Sequence, residues 1–292
     1  GKIMINKLAL IGVGLIGGSL ARALRDAGHV REVIGYGRGL ANLQRAVELG
    51  VVDRIETSLS TAVRDADMVV LATPVGSMAE ILSAIAPYLS RDAVVTDVGS
   101  VKGTIAAAAR AALGGKLTGF VPGHPIAGTE RTGVEASFSS LFVGRRVVLT
   151  PLPETSAEAV VRVRAMWQAA GADVVSMSVE HHDAVLAATS HLPHLLAYAL
   201  VDMLARLDDS REIFAYAAGG FRDFTRIASS DPVMWRDISL ANREAIVSML
   251  KQYQAEVNGL IKAVAAGDGA KLETLFARAK AARDALVTND QK

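Results

Sequence analysis

Hydrophobic residues in the first half of the chain form short, nearly continuous runs and do not alternate with polar residues. Such runs are typical of parallel strands buried on both faces of a sheet. The runs are Leu8–Ile11, Val33–Tyr36, Met68–Ala72, Ala93–Val98, Gly119–Val121, Arg146–Leu149 and Asp173–Met177. Helical stretches separate them, at Leu15–Ala27, Ala41–Leu49, Gly76–Pro87, Val101–Leu113 and Ser156–Ala170. Strands that alternate with helices predict a doubly wound α/β sheet.

The second half of the chain lacks such strand runs and has a helical pattern almost to its end. Its long predicted helices are Asp183–Leu207, Pro232–Val264 and Ala270–Val287. The first is expected to kink at Pro193. It is apolar on more than one face, as in a core or a subunit interface. We therefore expect a Rossmann-type dinucleotide-binding domain over residues 1–178 and a helical substrate and dimerisation domain over residues 179–292.

Composition excludes several classes of protein. The 292 residues include no cysteine, and 31 Lys and Arg against 30 Asp and Glu leave a net charge of +1. Without cysteine there is no disulfide, thiol nucleophile or thiolate zinc site, and without a basic excess we expect no nucleic-acid partner. We find no signal sequence and no apolar run of about 18–20 residues, so we expect a cytoplasmic protein without a membrane partner.

A glycine-rich turn joins the first predicted strand to the first predicted helix. Its sequence, Gly12-Val13-Gly14-Leu15-Ile16-Gly17, has the G-x-G-x-x-G pattern of dinucleotide-binding turns. Gly12 permits the turn, Gly14 lets the backbone approach a pyrophosphate, and Gly17 lets helix and strand pack closely. The helix N-terminus adds N–H groups for the phosphates. A loop after another strand, Thr73-Pro74-Val75, is expected to contact the same cofactor.

The end of the second predicted strand bears on the choice between NAD and NADP. An acidic residue there would hydrogen-bond the ribose hydroxyls of NAD. This chain has Gly37-Arg38 instead, and a small residue followed by Arg can accommodate the 2′-phosphate of NADP. We therefore favour NADP. The alternative is that Arg38 is a solvated side chain in a loop that accepts both nucleotides.

Two further loops are expected to meet near the nicotinamide because the carboxyl ends of parallel strands share one edge. They are Asp97-Val98-Gly99-Ser100-Val101-Lys102 and Gly123-His124-Pro125-Ile126-Ala127-Gly128-Thr129-Glu130. His124 is the best placed general acid or base of this domain. The alternative is a histidine that only satisfies a tight turn.

Polar residues interrupt the helical half at two places. Ser190-His191-Leu192-Pro193-His194 lies within an apolar helix. Its two histidines, three residues apart, could share a face and would also suit a metal, or they could be core residues. The segment Gly219–Arg226 could be functional or a solvated connector. His29, His181 and His182 are interpreted as surface residues, the last two at a solvated helix start.

Together these motifs resemble the prephenate/arogenate (cyclohexadienyl) dehydrogenase family of tyrosine biosynthesis. The resemblance rests on the glycine-rich turn, Asp97–Lys102, Gly123–Gly128, Ser190–His194 and Gly220–Arg226. These motifs follow the family's order over nearly the whole chain, with no chorismate mutase segment expected before them and no ACT domain after them. The last three are specific to the family, whereas the glycine motif is widely shared.

The resemblance implies oxidative decarboxylation of prephenate, arogenate or both, with hydride transfer to NAD(P)+ and release of CO2. His124 would accept a hydrogen bond or a proton from the ring hydroxyl, and Ser100 would position His124 and approach the nicotinamide. His194 would contact the substrate and Arg226 would bind a substrate carboxylate. The other substrate-side residues that it implies are Ser190, Thr129, Glu130, Asp223 and Trp235. It also implies a homodimer through the helical domains, with Trp235 reaching the neighbouring subunit's site, and no metal.

Two alternatives compete with this interpretation. One is a two-domain reductase of the β-hydroxyacid dehydrogenase or imine reductase kind. The former uses a Lys after a glycine-rich segment, and no Lys follows Gly219-Gly220 within the next 25 residues. The other is a non-catalytic NADP-sensing Rossmann protein, which would not need His124, His194 and Arg226 in crevice loops. Neither the pattern nor the resemblance discriminates prephenate from arogenate.

Overall fold

The computed structural model describes residues 4–129 and 131–290, and its larger sheet is built from six parallel strands. These are β1 (Ile5–Ile11), β2 (Val30–Tyr36), β3 (Arg54–Ile55), β4 (Met68–Leu71), β5 (Val94–Asp97) and β6 (Phe120–Val121). Their order is β3-β2-β1-β4-β5-β6, the order of a doubly wound dinucleotide-binding sheet. The predicted fold class is confirmed.

Helices cover both faces of this sheet, which explains why its strands are apolar throughout. They are α1 (Leu15–Asp26), α2 (Leu40–Glu48), α3 (Leu59–Val63), α4 (Val75–Ile85), α5 (Gly103–Leu113) and α6 (Ala157–Ala169). One core contains Phe142 and Trp167, whose rings meet edge to face with centroids 5.0 Å apart. The core on the other face contains Met78, Leu82 and Phe120.

A second, three-stranded sheet follows, made of β7 (Gly123–Pro125), β8 (Arg146–Leu149) and β9 (Asp173–Ser176). β7 pairs with β8 in antiparallel orientation, and β8 pairs with β9 in parallel. The sequence predicted β8 and β9 as strands of the doubly wound sheet, but they form this separate sheet with β7. β7 was not predicted because Gly and Pro, at its two ends, have low strand propensity.

From residue 179 onward the described chain is helical. The elements are α7 (Val179–Leu186), a π-helical segment (Ala187–His191), α8 (Leu192–Ala205), α9 (Ser210–Ala215), α10 (Gly219–Thr225), α11 (Pro232–Ala241), α12 (Arg243–Ala265) and α13 (Gly269–Asp290). The helix predicted over Pro232–Val264 is two helices, because Asn242 ends α11 with φ −114° and ψ 39°. The chain forms two compact units that divide between Arg243 and Glu244.

The segment Val179–Ala205 is long and apolar enough, by length and composition, to cross a membrane. The expectation that no apolar run reaches this length is therefore wrong, since residues 184–201 contain no Asp, Glu, Lys or Arg. One such segment is weak support for a membrane span, because buried helices of soluble proteins have the same composition. Only 17% of an apolar 18-residue stretch of this segment is buried within the chain. Most of that stretch therefore presents apolar surface.

Candidate active site

The glycine-rich turn lies at the carboxyl end of β1 and opens α1. Gly12 has φ +99°, and a Cβ there would lie 2.6 Å from the carbonyl oxygen of Ala72. A Cβ on Gly17 would overlap the carbonyl oxygen of Gly12, whereas Gly14 faces open space. Among the described residues no side chain caps the first turn of α1. The backbone N–H groups there are therefore placed to bind an anion.

A cleft of about 400 Å³ adjoins this turn. Its walls include Arg38, Thr73 and Pro74, whereas Leu15, Ile16 and Val75 belong to the first turns of α1 and α4 and not to the cleft wall. The Oγ1 atom of Thr73 is buried and has no hydrogen-bond partner within the described chain. A glycine cradle beside a cleft with one unsatisfied hydroxyl fits a dinucleotide.

His124 lies in β7 and is held by a histidine from the helical half of the chain. Its Nδ1 hydrogen-bonds Nε2 of His182 at 2.9 Å, and Nδ1 of His182 hydrogen-bonds Oδ1 of Asp183 at 2.8 Å. His182 is completely buried. The interpretation of His182 as a solvated residue is therefore wrong, while its neighbour His181 is exposed as expected.

The environment of His124 keeps its imidazole neutral. Burial lowers the pKa of His124 well below 6.5, and the charges of Lys102, His182 and His191 lower the pKa further. A neutral ring at physiological pH can accept a proton from a substrate hydroxyl. The local electrostatics therefore suit the predicted role of general base.

A buried ion pair fixes the loop that carries His124. Lys102 and Asp97 are both fully buried and form a salt bridge, and Lys102 Nζ also donates to the carbonyl oxygen of Gly123. Asp97 Oδ1 accepts a hydrogen bond of 3.2 Å from the Gly123 N–H. Sequence reasoning gave Lys102 and Asp97 no role, although both stand in a motif that it singled out. They join the end of β5 to the start of β7.

Ser100 does not hold His124 through a direct hydrogen bond. Within residues 4–129 and 131–290 no bond joins the two side chains, and Nδ1 of His124 is already occupied by His182. Ser100 is partly buried and lies between the end of β5 and α5. The expectation that Ser100 positions His124 stays a prediction.

On the helical side, His194 and Trp235 form a stacked pair. Their ring centroids are 3.8 Å apart at an interplanar angle of 16°, and Nδ1 of His194 donates to the carbonyl oxygen of Ser190 at 2.8 Å. Trp235 is only 7% exposed. It packs inside its own chain, and the expectation that it reaches the neighbouring subunit's site stays a prediction.

His191 belongs to the buried polar network and not to the surface. Its Nδ1 accepts from the Asn242 side-chain amide at 3.1 Å, and the same amide donates to the Asp183 carbonyl oxygen at 2.9 Å. Sequence reasoning missed Asn242, which lies inside the single helix predicted over Pro232–Val264. Across the described ranges no three His, Asp or Glu residues are grouped as a metal site would require.

The remaining predicted substrate residues lie at or near the surface. Arg226 begins an exposed 3₁₀ turn after α10. Burial lowers the pKa of His194, the hydrogen bond to the Ser190 carbonyl oxygen opposes this shift, and the charge of Arg226 adds to it. Asp223 is exposed and forms no ion pair within the described chain. Thr129 is exposed, and Glu130 lies outside the described residues.

These features define a class of protein. The dinucleotide cradle follows the carboxyl end of β1, His124 follows β6 of the same parallel sheet, and His182 of the helical half hydrogen-bonds His124. This is the arrangement of a nucleotide-dependent dehydrogenase with a helical substrate domain.

Comparison with known proteins identifies the family. The nucleotide-binding domain of prephenate dehydrogenase matches residues 20–176, and the dimerization domain of prephenate dehydrogenase matches residues 178–278. The chain belongs to the prephenate dehydrogenase family, as the resemblance of its motifs predicted. It is an NAD(P)-dependent dehydrogenase of tyrosine biosynthesis, and the two alternative interpretations are set aside.

Individual relatives cover nearly the whole chain. The cyclohexadienyl dehydrogenase of Zymomonas mobilis is 39% identical over 98% of both chains. The crystal structure of prephenate dehydrogenase from Aquifex aeolicus with hydroxyphenyl propionate and NAD+ has a TM-score of 0.90 and 39% identity, over 97% of this chain and 98% of that chain. Synechocystis arogenate dehydrogenase has a TM-score of 0.81 and 32% identity, over 95% and 99% of the two chains.

Proposed function

We propose that this enzyme oxidatively decarboxylates prephenate, arogenate or both, with His124 as the general base. The observation that carries this assignment is the partly buried imidazole of His124, whose Nδ1 is hydrogen-bonded to His182 and whose pKa is lowered by burial. The names of the relatives support the two substrates, since they include a cyclohexadienyl, a prephenate and an arogenate dehydrogenase.

The proposed cofactor is NADP in preference to NAD. The Aquifex aeolicus relative holds NAD+, but this chain has Gly37-Arg38 where an acidic residue would bind the ribose hydroxyls. Arg38 is exposed and lines the cleft, which supports binding of a 2′-phosphate. The N–H groups at the start of α1 would hold the pyrophosphate. When bound, the nicotinamide accepts the hydride that leaves the ring carbon bearing the hydroxyl.

Residues of this chain would transfer the hydroxyl proton and bind a substrate carboxylate. Nε2 of His124 takes the hydroxyl proton as carbonyl character develops, and it returns that proton to the oxygen once the ring is aromatic. Loss of the ring carboxylate as CO2 supplies the electron pair that completes the aromatic ring. Arg226 would bind a substrate carboxylate through its planar guanidinium, beside His194. Ser100 would approach the hydroxyl, with Ser190, Thr129, Asp223 and Trp235 around the substrate.

The proposed assembly is a cytoplasmic homodimer formed through the helical region. We place the domain boundary between residues 178 and 179, which the limits of the two family matches support. The apolar surface of Val179–Ala205, with Met203 half exposed, would be covered by a second subunit instead of a membrane. The near-zero net charge supports a chain without a nucleic-acid partner.

The experiment that tests this function measures reduced nicotinamide by absorbance, with prephenate or arogenate and with NAD+ or NADP+. We expect turnover with at least one substrate and a higher kcat/KM with NADP+. In the same assay, the His124→Asn variant should lose most of kcat and still bind the nucleotide. Flat traces with all four pairs would refute the function, and a preference for NAD+ would refute only the nucleotide assignment.

A further inference from the structure

A chain of three side chains runs from the N-terminus of α5 to the ring of His124. Asp183 contacts His182, and His182 contacts His124, through consecutive hydrogen bonds of 2.8 and 2.9 Å. We propose that His182 and Asp183 are positioning residues that fix the tautomer of His124 and leave its Nε2 as the basic atom. This inference rests on the proposed function, in which His124 is the base.

The first step is the ionised state of Asp183. Its Oδ1 accepts from the N–H of Lys102 at 2.9 Å and its Oδ2 accepts from the N–H of Gly103 at 2.9 Å. Burial alone would raise the pKa of Asp183, but the hydrogen bonds from His182 and from these two N–H groups outweigh it and hold the pKa low. The carboxylate also sits at the positive end of α5, which favours a negative charge.

The second step is the direction of each hydrogen bond. An ionised carboxylate can only accept, so Nδ1 of His182 must donate its proton to Asp183. In the proposed relay this is the one N–H of the His182 ring, so Nε2 of His182 is the acceptor. Nδ1 of His124 must therefore donate to it, which leaves the lone pair on Nε2 of His124. No residue of the described chain bonds that Nε2 atom.

The third step is what happens when His124 gains a proton. The His182 ring alone separates the new positive charge from the Asp183 carboxylate. The hydrogen bonds of the relay stabilise that charge. The charge of Lys102 opposes this protonation, and Lys102 is itself paired with Asp97 in a buried salt bridge. Asp183 is thus the carboxylate available to compensate a charged His124.

Burial makes the relay effective, because no water competes for its hydrogen bonds. His182 is fully buried and Asp183 is 9% exposed, and both lie on the buried face of α7. The arrangement follows the logic by which a carboxylate orients a catalytic imidazole in other enzymes. Here a second histidine stands between the carboxylate and the base.

Two substitutions at His182 test the relay, with His181→Asn as the matched control on the same helical turn. In His182→Gln the amide can still reach Nδ1 of His124, whereas in His182→Asn it is too short. We expect His182→Asn to lose about 100-fold in kcat with little change in KM, because orientation and proton transfer are impaired. We expect His182→Gln to keep more of kcat than His182→Asn, and His181→Asn to match the wild type.

Nitrogen NMR of ring-labelled histidine in the wild-type enzyme gives a readout that does not require turnover. We expect His124 to carry its proton on Nδ1 in the wild type and a mixture of tautomers in His182→Asn. A proton on Nε2 in the wild type would overturn the relay even if His182→Asn failed to fold. Wild-type kcat in a folded His182→Asn would also overturn it, whereas an inactive wild type would instead refute the proposed function.

Discussion

His191 should make the stability of this enzyme depend on pH in a way that one substitution can isolate. Burial lowers the pKa of His191 from 6.5 to about 4; the charge of Asp183 opposes this shift, and the charges of His182 and His194 add to it. Protonation would also direct a second N–H at the Asn242 amide, which already donates to Nδ1 at 3.1 Å. The folded chain therefore favours the neutral ring.

The sign and size of the effect follow from proton linkage. Because the pKa is lower in the folded chain, the unfolded chain binds the proton more readily as the pH falls below 6.5. The stabilisation is therefore complete above pH 6.5 and is lost progressively down to about pH 4. With about 1.4 kcal/mol for each unit of pKa difference, the loss between pH 7 and pH 5 is about 2 kcal/mol.

Urea unfolding at pH 7 and pH 5 measures this loss. The variant is His191→Asn, whose side-chain oxygen can still accept from Asn242 but does not titrate. His181→Asn, at an exposed position of the neighbouring helix, is the control. We expect the wild type and the control to lose about 2 kcal/mol more between the two pH values than His191→Asn does. Equal losses in all three proteins would refute the reasoning, since other titrating groups are common to them.

Three further predictions concern the cofactor turn, the base and the carboxylate site. Gly17→Ala should cost about 1–3 kcal/mol of stability in urea unfolding, because its Cβ would overlap the Gly12 carbonyl oxygen; an unchanged midpoint would contradict this. The kcat/KM of the wild type should stay constant down to pH 6.5 and decline only below it, because burial lowers the pKa of His124; a decline centred above pH 6.5 would exclude His124 as the base. Arg226→Gln should raise KM about 10- to 100-fold with a small change in kcat, because one charge-assisted contact is lost; an unchanged KM would place the carboxylate elsewhere.

The sequence predicted those parts of the molecule that follow from local patterns. Buried parallel strands read as apolar runs, so β1, β2, β4 and β5 were placed nearly correctly. The role of the glycine-rich turn could be predicted from its residue types, because a Cβ at Gly12 or Gly17 would overlap backbone atoms. The cap of α11 is likewise local, because the Asp231 side chain, directly before Pro232, accepts from the Val233 N–H at 3.0 Å.

The missed features depend on contacts between distant parts of the chain. His182 was interpreted as solvated because two histidines and an acidic residue at a helix start usually face water. A signal was present, since His182, Asp183 and Leu186 have the spacing of one helical face and all three are buried. Asn242 could not be recognised from its neighbours, because its partners, the Asp183 carbonyl and His191, lie more than 50 residues away.

The π-helical segment Ala187–His191 determines how the helices that follow it are rotated relative to α7. A π turn closes one residue later than an α turn, and each α-helical residue rotates the chain by about 100°. Deleting one residue from this segment would allow a regular α-helix but would turn everything after it by that angle relative to α7. His194 and Trp235 would then turn away together from His124, while His182 stayed beside it. The register of a single turn thus determines whether the two histidine clusters face one substrate, and a one-residue deletion there should be far more damaging than its size suggests.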